Sequence, residues 1–118
     1  AEENAMEVLN LNGFKLIDVS KQNVGFDYEG FDPDGNEIQI EVKSITMIGQ
    51  AFKLTNNEIA VAQDKGDSYY IAIVRQLENF IEIALIPDPI KNLVFNRQCI
   101  QWIWECSNYD YKPTKFEI

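Results

Sequence analysis

A five-residue turn, Asp32-Pro33-Asp34-Gly35-Asn36, constrains this fold more than any other feature of the sequence. The segment after it, residues 37–43, alternates between polar and apolar side chains, as a β-strand with two different faces does. Proline followed by Asp-Gly suits a three-residue hairpin loop, in which glycine takes the left-handed conformation that other residues adopt only with strain. The pattern predicts a β-hairpin formed by residues 24–31 and 37–43.

The turn also predicts the register of this hairpin. If the two ends of the turn pair, Asp27 lies directly opposite Glu41 and their side chains share one face of the sheet. Lys43 and Gln39 lie two residues to either side of Glu41, so they belong to the same face. Two directly opposed carboxylates destabilise a sheet unless positive charge lies between them. We therefore expect a cation beside Asp27 and Glu41.

Carboxylate ligands of this kind suit a hard divalent cation. Mg²⁺ usually takes one or two carboxylates and keeps water and substrate phosphate in its remaining positions. Such an ion lowers the pKa of a bound water and neutralises charge that develops on a phosphodiester, while a neighbouring lysine orients the nucleophile and stabilises the transition state. Asp27 and Glu41 are thus candidate ligands, and Lys43 is the candidate catalytic lysine.

Composition limits the chemistry that the chain supports. Its 118 residues contain no histidine, which excludes Ser-His-Asp triads, histidine-bound metals and imidazole bases. The 19 acidic and 10 basic residues give a net charge of -9, so any contact with nucleic acid is expected to be local. Cys99 and Cys106 lack the spacing of a redox or zinc motif. We expect both to be buried, with a disulfide left open.

The remaining segments predict helices and further strands. Residues 2–12 predict one helix, and Thr55 with Glu58 forms a capping box that opens a second helix ending near Gly66. Strands are predicted over residues 14–19, 69–74 and 80–86, with strands or packed extensions over 99–104 and 115–118. The expected fold class is α/β, with a mixed central β-sheet flanked by helices.

The length suits one domain over residues 1–118, and the start at Ala1 leaves open that this domain was excised from a larger protein. No stretch is apolar over the ~18 to 20 residues of a membrane span, and acidic residues stand where a secretory signal would carry basic ones. We therefore expect a cytoplasmic protein with no membrane contact.

Three short motifs resemble a known family. Gly25-Phe26-Asp27, followed by Glu41-Val42-Lys43, resembles the PD-(D/E)XK nuclease superfamily. A narrower resemblance, to the NO VEIN C-terminal-type domain within that superfamily, rests on Ile40-Glu41-Val42-Lys43, Phe52-Lys53-Leu54-Thr55-Asn56-Asn57-Glu58 and Asp67-Ser68-Tyr69-Tyr70. The likeness covers roughly residues 3–75. It implies a restriction-endonuclease-like fold.

The resemblance also implies roles for particular residues. Asp27 and Glu41 would be metal ligands, the Val42 backbone carbonyl a further ligand, and Lys43 the catalytic lysine. The first helix often adds a glutamate in this superfamily. Additional candidates are therefore Glu3, with Glu7 as its fallback, together with Gln39 on the strand of Glu41 and Lys53 as a phosphate contact.

The function implied by the resemblance is Mg²⁺-dependent endonuclease hydrolysis of DNA in a restriction or defence system, with Mn²⁺ as an expected substitute. DNA is favoured over RNA as the nucleic-acid partner, other domains or subunits are expected to provide targeting, and an oligomer is left open. The alternative is a catalytically inactive module of the same fold that binds a protein or the rest of its own chain.

Each candidate also has a structural explanation. Without the resemblance, the polar residues 39, 41 and 43 are what the exposed face of a half-solvated strand shows. Lys53 is equally suited to protecting a strand edge, and capping explains Glu58 better than a ligand role. Trp102 and Trp104 favour packing over base stacking, because few basic residues accompany them.

Overall fold

The computed structural model describes residues 2–98 and 103–118. Within these residues the helices are Glu2–Leu11 (α1), Asn56–Lys65 (α2) and Pro89–Asn92 (α3). The strands are Lys15–Asp18 (β1), Tyr28–Phe31 (β2), Glu37–Ser44 (β3), Phe52–Thr55 (β4), Tyr69–Gln76 (β5), Phe80–Pro87 (β6), Asn96–Gln98 (β7), Ile103–Cys106 (β8) and Thr114–Glu117 (β9).

A mixed central sheet confirms the predicted α/β class. Its six strands lie in the order β1-β2-β3-β5-β6-β9, in which only β3 and β5 run parallel. Parallel neighbours need a long crossover, and the chain supplies it with β4 and α2. The strand β4 joins a second, antiparallel sheet in the order β4-β8-β7.

Two apolar clusters cover the two faces of the central sheet. On the first face, α1 packs through Ala5, Val8 and Leu9 onto the alternate β3 residues Ile38, Ile40 and Val42. On the second face, a cluster of β5, α2 and β4 residues forms around Ile71, Tyr69, Ile59 and Leu54. Side chains of a strand alternate between faces. Gln39, Glu41 and Lys43 of β3 therefore point to the second face, on the side of α2.

The hairpin has the register that its turn predicts. Tyr28 lies opposite Ile40 and Glu29 opposite Gln39. At the turn, the Asp32 backbone N–H donates to the carbonyl of Asn36 over 2.9 Å, and Gly35 has a φ of 85°. A left-handed φ at this position is what the glycine was expected to supply.

Strand β2 is shorter than predicted. The expected strand begins at Val24, whereas β2 begins at Tyr28. Residues 20–22 form a single 3-10 turn, and the positive φ angles of Asn23 (55°) and Gly25 (90°) interrupt an extended conformation. The prediction of a strand over residues 24–27 was wrong because these dihedral angles redirect the chain before it joins β3.

Only part of the C-terminal third lies within the described residues. Strands β8 and β9 correspond to the segments read as strands or extensions, while Cys99 and Trp102 lie outside the described residues. Cys106 is buried as expected, and Trp104 packs against the second cluster with its Nε1–H donating to Asn56 over 2.8 Å. Across the described ranges, no helix is long and apolar enough to cross a membrane.

Candidate functional site

Asp27 and Glu41 meet at the edge where β2 begins. Asp27 directly precedes β2, and its backbone N–H donates to the Ile40 carbonyl over 2.9 Å. The paired register of β2 and β3 ends at Tyr28 and Ile40, and the bond from the Asp27 N–H to the Ile40 carbonyl departs from that register. Asp27 and Glu41 nevertheless line the same cleft. The structure therefore brings together the two carboxylates that the register was expected to oppose.

The Asp27 side chain is held by the backbone of β3. Its Oδ2 accepts a hydrogen bond from the Val42 N–H over 2.9 Å. The N–H and C=O of one strand residue point to the same edge of that strand, so the Val42 carbonyl is also directed toward the side of Asp27. Burial raises the pKa of Asp27, although the Val42 N–H and the Lys43 charge oppose that rise.

Glu41 is a buried carboxylate on a strand that is covered on both faces. Its residue is 5% exposed, and Gln39 beside it is 4% exposed. The interpretation of this polar alternation as an exposed strand face is therefore wrong, because α2 and β4 cover it. Burial raises the pKa of Glu41 far above its ordinary value, Lys43 lowers it, and the charges of Glu58 and Asp27 raise it further.

Lys43 bridges two carboxylates. Its Nζ lies 3.2 Å from Glu41 Oε2 and 3.2 Å from Glu58 Oε1. Burial lowers the pKa of Lys43, but the two carboxylates outweigh burial, so the net pKa is raised and the ammonium is favoured. Lys43 is thus a fixed positive charge beside the Asp27–Glu41 pair.

Glu58 belongs to the site as well as to the start of α2. The predicted capping box is present: Glu58 N–H donates to Thr55 Oγ1 over 3.1 Å, and Thr55 N–H donates to Glu58 Oε1 over 3.0 Å. The same Oε1 reaches Lys43. The sequence favoured capping over a ligand role for Glu58, because a capping box does not indicate which side chains contact its carboxylate in the tertiary structure.

A small cleft of about 140 Å³ opens over these carboxylates. Its walls come from the loop before β2 and from the start of α2; the lining residues are Ser20, Asn23, Gly25, Phe26, Asp27, Glu41, Thr55, Asn57 and Glu58. Beneath it, the Tyr69 hydroxyl donates to the Gly25 carbonyl over 2.7 Å and braces the loop that carries Asp27. Burial, followed by the charges of the three carboxylates, raises the pKa of Tyr69.

The other predicted candidates lie outside this cleft. Gln39 accepts a hydrogen bond from Ser68 Oγ over 2.6 Å, which accounts for its buried amide. Lys53 is exposed on β4, opposite Glu105 of β8. Glu3 and Glu7 are exposed on α1, which packs on the first face of the central sheet while Glu41 points to the second. The structure does not bring Glu3 to Asp27 and Glu41.

The donor set fits Mg²⁺ in kind. Asp27, Glu41 and Glu58 bring three carboxyl groups to a partly buried position, where Glu41 and Glu58 contact the Lys43 ammonium. Mg²⁺ requires oxygen ligands and only one or two carboxylates from the protein. In the part of the chain that the structure describes, no three His, Cys, Asp or Glu side chains already form a metal-binding group. Asp27, Glu41 and the Val42 carbonyl would be the ligands.

A family model matches most of the chain. The model of the family described as Protein NO VEIN, C-terminal, matches residues 1–86 and so covers most of the chain, including the hairpin, α2 and the whole cleft. Comparisons with curated proteins and with solved structures found no match. The match and the geometry of the cleft agree on the same part of the molecule, and the chain belongs to the NO VEIN C-terminal family.

Proposed function

We propose that this domain is a PD-(D/E)XK-like nuclease that hydrolyses DNA phosphodiester bonds with Mg²⁺ in a restriction or defence system. One observation carries the proposal: Lys43 Nζ lies 3.2 Å from Glu41 Oε2, and Asp27 and Glu41 line the same cleft. The element order α1, β1–β3, α2, β5, with β3 parallel to β5, supports a restriction-endonuclease-like fold.

The chain's own groups divide the work at this site. Bound Mg²⁺ would supply an activated water and Lewis-acid stabilisation of the phosphodiester. Asp27 and Glu41 would hold the ion, and the Val42 N–H keeps the Asp27 carboxylate oriented. Lys43 donates hydrogen bonds to a phosphate oxygen or to the attacking water, where charge develops in the transition state. Glu58 restrains the Lys43 ammonium from the side of α2.

A second candidate function is a catalytically inactive binding module with the same fold. The ion pair between Lys43 and Glu41 favours it, because an ammonium that already neutralises the carboxylate provides structural compensation without any metal. Such a module would keep the cleft as part of its core and would not bind divalent cations.

Calorimetric titration of Mn²⁺ and Mg²⁺ separates the two candidates without requiring a DNA-targeting partner. The wild-type domain is compared with Asp27→Asn and Glu41→Gln, and Asp110→Asn is the matched control because the Asp110 side chain is 90% exposed and far along the chain from the cleft. Cleavage is then assayed on supercoiled DNA, single-stranded DNA and RNA.

Saturable metal binding that both cleft variants lose and Asp110→Asn retains supports the nuclease, provided that the cleavage assay detects Mg²⁺-dependent products. Binding that persists unchanged in the cleft variants, or no binding even with an oligonucleotide present, contradicts the nuclease and favours the inactive module. Cleavage of RNA but not of DNA would replace the proposed substrate.

A further inference from the structure

The two segments that border the cleft contain no acidic residue. Residues 19–26 precede Asp27, and residues 44–57 connect β3 with the start of α2. Neither segment includes an Asp or Glu, although 19 of the chain's 118 residues are acidic and its net charge is -9. Both segments reach the cleft itself, through Ser20 and Asn23 on one side and Thr55 and Asn57 on the other. We call residues 19–26 and 44–57 the acid-free rim.

The loop between β3 and β4 presents two apolar side chains from the acid-free rim to solvent. Met47 is 71% exposed and Ile48 is 61% exposed. The chain from Lys43 to Met47 covers four residues, so the two Cα atoms lie at most ~14 Å apart. Nucleotides in one strand are spaced by about 3.4 Å, which places the loop within roughly four nucleotides of the cleft.

This loop is held in place by its own hydrogen bonds. Gln50 Oε1 accepts from the Thr46 N–H over 2.9 Å and from Thr46 Oγ1 over 3.0 Å, and the Gln50 N–H donates to the Met47 carbonyl over 3.1 Å. The Tyr109 hydroxyl donates to the Gln50 carbonyl from the far end of the chain. A loop ordered in advance loses little conformational entropy when its exposed side chains are covered.

We propose that the acid-free rim binds nucleic acid with unpaired bases, and that Met47 and Ile48 pack against those bases. This inference rests on the proposed nuclease function, since it assigns the surface that delivers substrate to that cleft. The acid-free rim adds no carboxylate to the three of the cleft, so it repels a polyanion less than acidic parts of this surface do. Apolar side chains such as Met and Ile are the type that inserts between base steps.

The small number of cations limits the contribution of phosphate contacts to binding. The acid-free rim carries Lys21 and Lys53, and Lys43 lies directly beside it. Three lysines at most neutralise three phosphates, so the logarithm of the affinity for single-stranded DNA should fall with the logarithm of salt concentration with a slope no steeper than about -2. A fully paired duplex, whose bases are stacked and inaccessible, should bind more weakly than an unpaired strand.

Fluorescence anisotropy with three labelled 20-nucleotide DNA probes tests the proposal, in Ca²⁺ to limit cleavage. The probes are a single strand, a full duplex and a duplex with a four-nucleotide bulge. The double variant Met47→Ala/Ile48→Ala should weaken binding of the single strand and the bulged duplex by at least tenfold, and Met47→Glu should do so as well. The matched control is Leu11→Glu: Leu11 is 86% exposed and lies on α1, the helix that packs on the first face of the sheet.

The proposal is supported if Leu11→Glu binds within twofold of wild type, the rim variants lose affinity and the salt slope stays shallow. It is overturned if wild type binds none of the probes at 100 µM, if Leu11→Glu and Met47→Glu weaken binding equally, or if the duplex is preferred. Self-association of wild type that Met47→Glu abolishes would overturn it in favour of a protein contact. Thermal unfolding of each variant verifies its fold.

The outcomes also separate this proposal from the nuclease. If binding depends on the rim but no substrate is cleaved, the proposed binding surface is supported and the proposed nuclease function is contradicted. If unpaired DNA is cleaved and the rate is unchanged in Met47→Ala/Ile48→Ala, the proposed nuclease function is supported and the proposed binding surface is contradicted.

Discussion

The Asp27 side chain supplies the hydrogen-bond acceptor that a neighbouring strand would otherwise give Val42. Its Oδ2 accepts the Val42 N–H over 2.9 Å, and Asp27 lies one residue before β2 begins. The chain before β2 turns away at Gly25, so a side chain rather than a neighbouring strand satisfies this N–H. The carboxylate is thereby fixed in the cleft that Glu41 also lines. The same interaction makes a functional and a structural role of Asp27 separable by mutation.

Asp27→Asn should abolish metal binding and leave stability nearly unchanged, because the amide oxygen still accepts the Val42 N–H. Asp27→Ala removes the acceptor and should lower the free energy of unfolding by ~1–3 kcal/mol. Metal affinity should fall by at least about tenfold in both variants, as loss of even an outer-shell partner has that effect. Calorimetric titration and urea unfolding in EDTA measure the two quantities; equal stability of the two variants would contradict the role of this hydrogen bond.

Lys43→Met should destabilise the metal-free domain, because it leaves Glu41 and Glu58 without their shared ammonium. Leaving a largely buried charged acceptor without its partner costs ~1–3 kcal/mol or more. Adding Glu41→Gln should restore part of this loss, since the buried carboxylate is then neutral. A double-mutant cycle by urea unfolding in EDTA measures the coupling, and additive effects of the two substitutions would show that the ion pair contributes nothing.

Glu58→Gln and Thr55→Ala separate capping from the restraint of Lys43. Gln at this helix position also completes a capping box, so Glu58→Gln should retain stability while it weakens the contact with Lys43 and lowers the cleavage rate. Thr55→Ala should lower the free energy of unfolding by ~0.5–2 kcal/mol. The two readouts are denaturant midpoint and cleavage rate at saturating Mg²⁺; a rate in Glu58→Gln equal to wild type would limit Glu58 to capping.

Gly25→Ala should distort the loop that carries Asp27. Gly25 has a φ of 90°, and an added Cβ would lie 2.6 Å from Val61 Cγ2. A non-glycine residue forced into this region costs of order 1–3 kcal/mol, before the clash is counted. Combining it with Val61→Ala should relieve only part of the clash, because Val61 Cβ would still lie 2.9 Å away, and should leave the backbone strain unchanged. Thermal unfolding and metal titration measure both effects, and a Gly25→Ala domain with wild-type stability would refute this constraint.

The pair of Glu82 and Arg75, which lies outside the cleft, should make the stability of the domain depend on pH. Glu82 Oε1 accepts a hydrogen bond from Arg75 Nε over 2.7 Å and a second one from the Tyr111 hydroxyl over 3.1 Å. The hydrogen bond from Arg75 lowers the pKa of Glu82, so its contribution is present above the ordinary value of 4.5 and is lost as pH falls below it. Wild type should exceed Glu82→Gln in stability at pH 7, and the difference should shrink toward pH 3 in urea unfolding. A difference that grows on acidification would reverse the assigned sign.

The hairpin, its register and the capping box at Thr55 were all predictable from sequence. Each depends on residues within a few positions of one another: a Pro-Asp-Gly turn sets the pairing of β2 with β3, and Thr55 with Glu58 closes one helical turn. That local register predicts the proximity of Asp27 and Glu41, which line one cleft, although the pairing itself ends at Tyr28 and Ile40. The motif that matches the NO VEIN C-terminal family is likewise contained in the linear sequence.

Burial and convergence were decided only by the tertiary structure. Alternation along β3 does not distinguish a solvated polar face from one that is covered by α2, and the covering buries Glu41 and brings Glu58 to 3.2 Å from Lys43. Packing of α1 on the opposite face likewise places Glu3 away from the cleft. Local hydrogen bonds and turn geometry determine which residues pair along the chain, whereas the choice of which face of the sheet each helix covers depends on apolar contacts between segments distant in sequence.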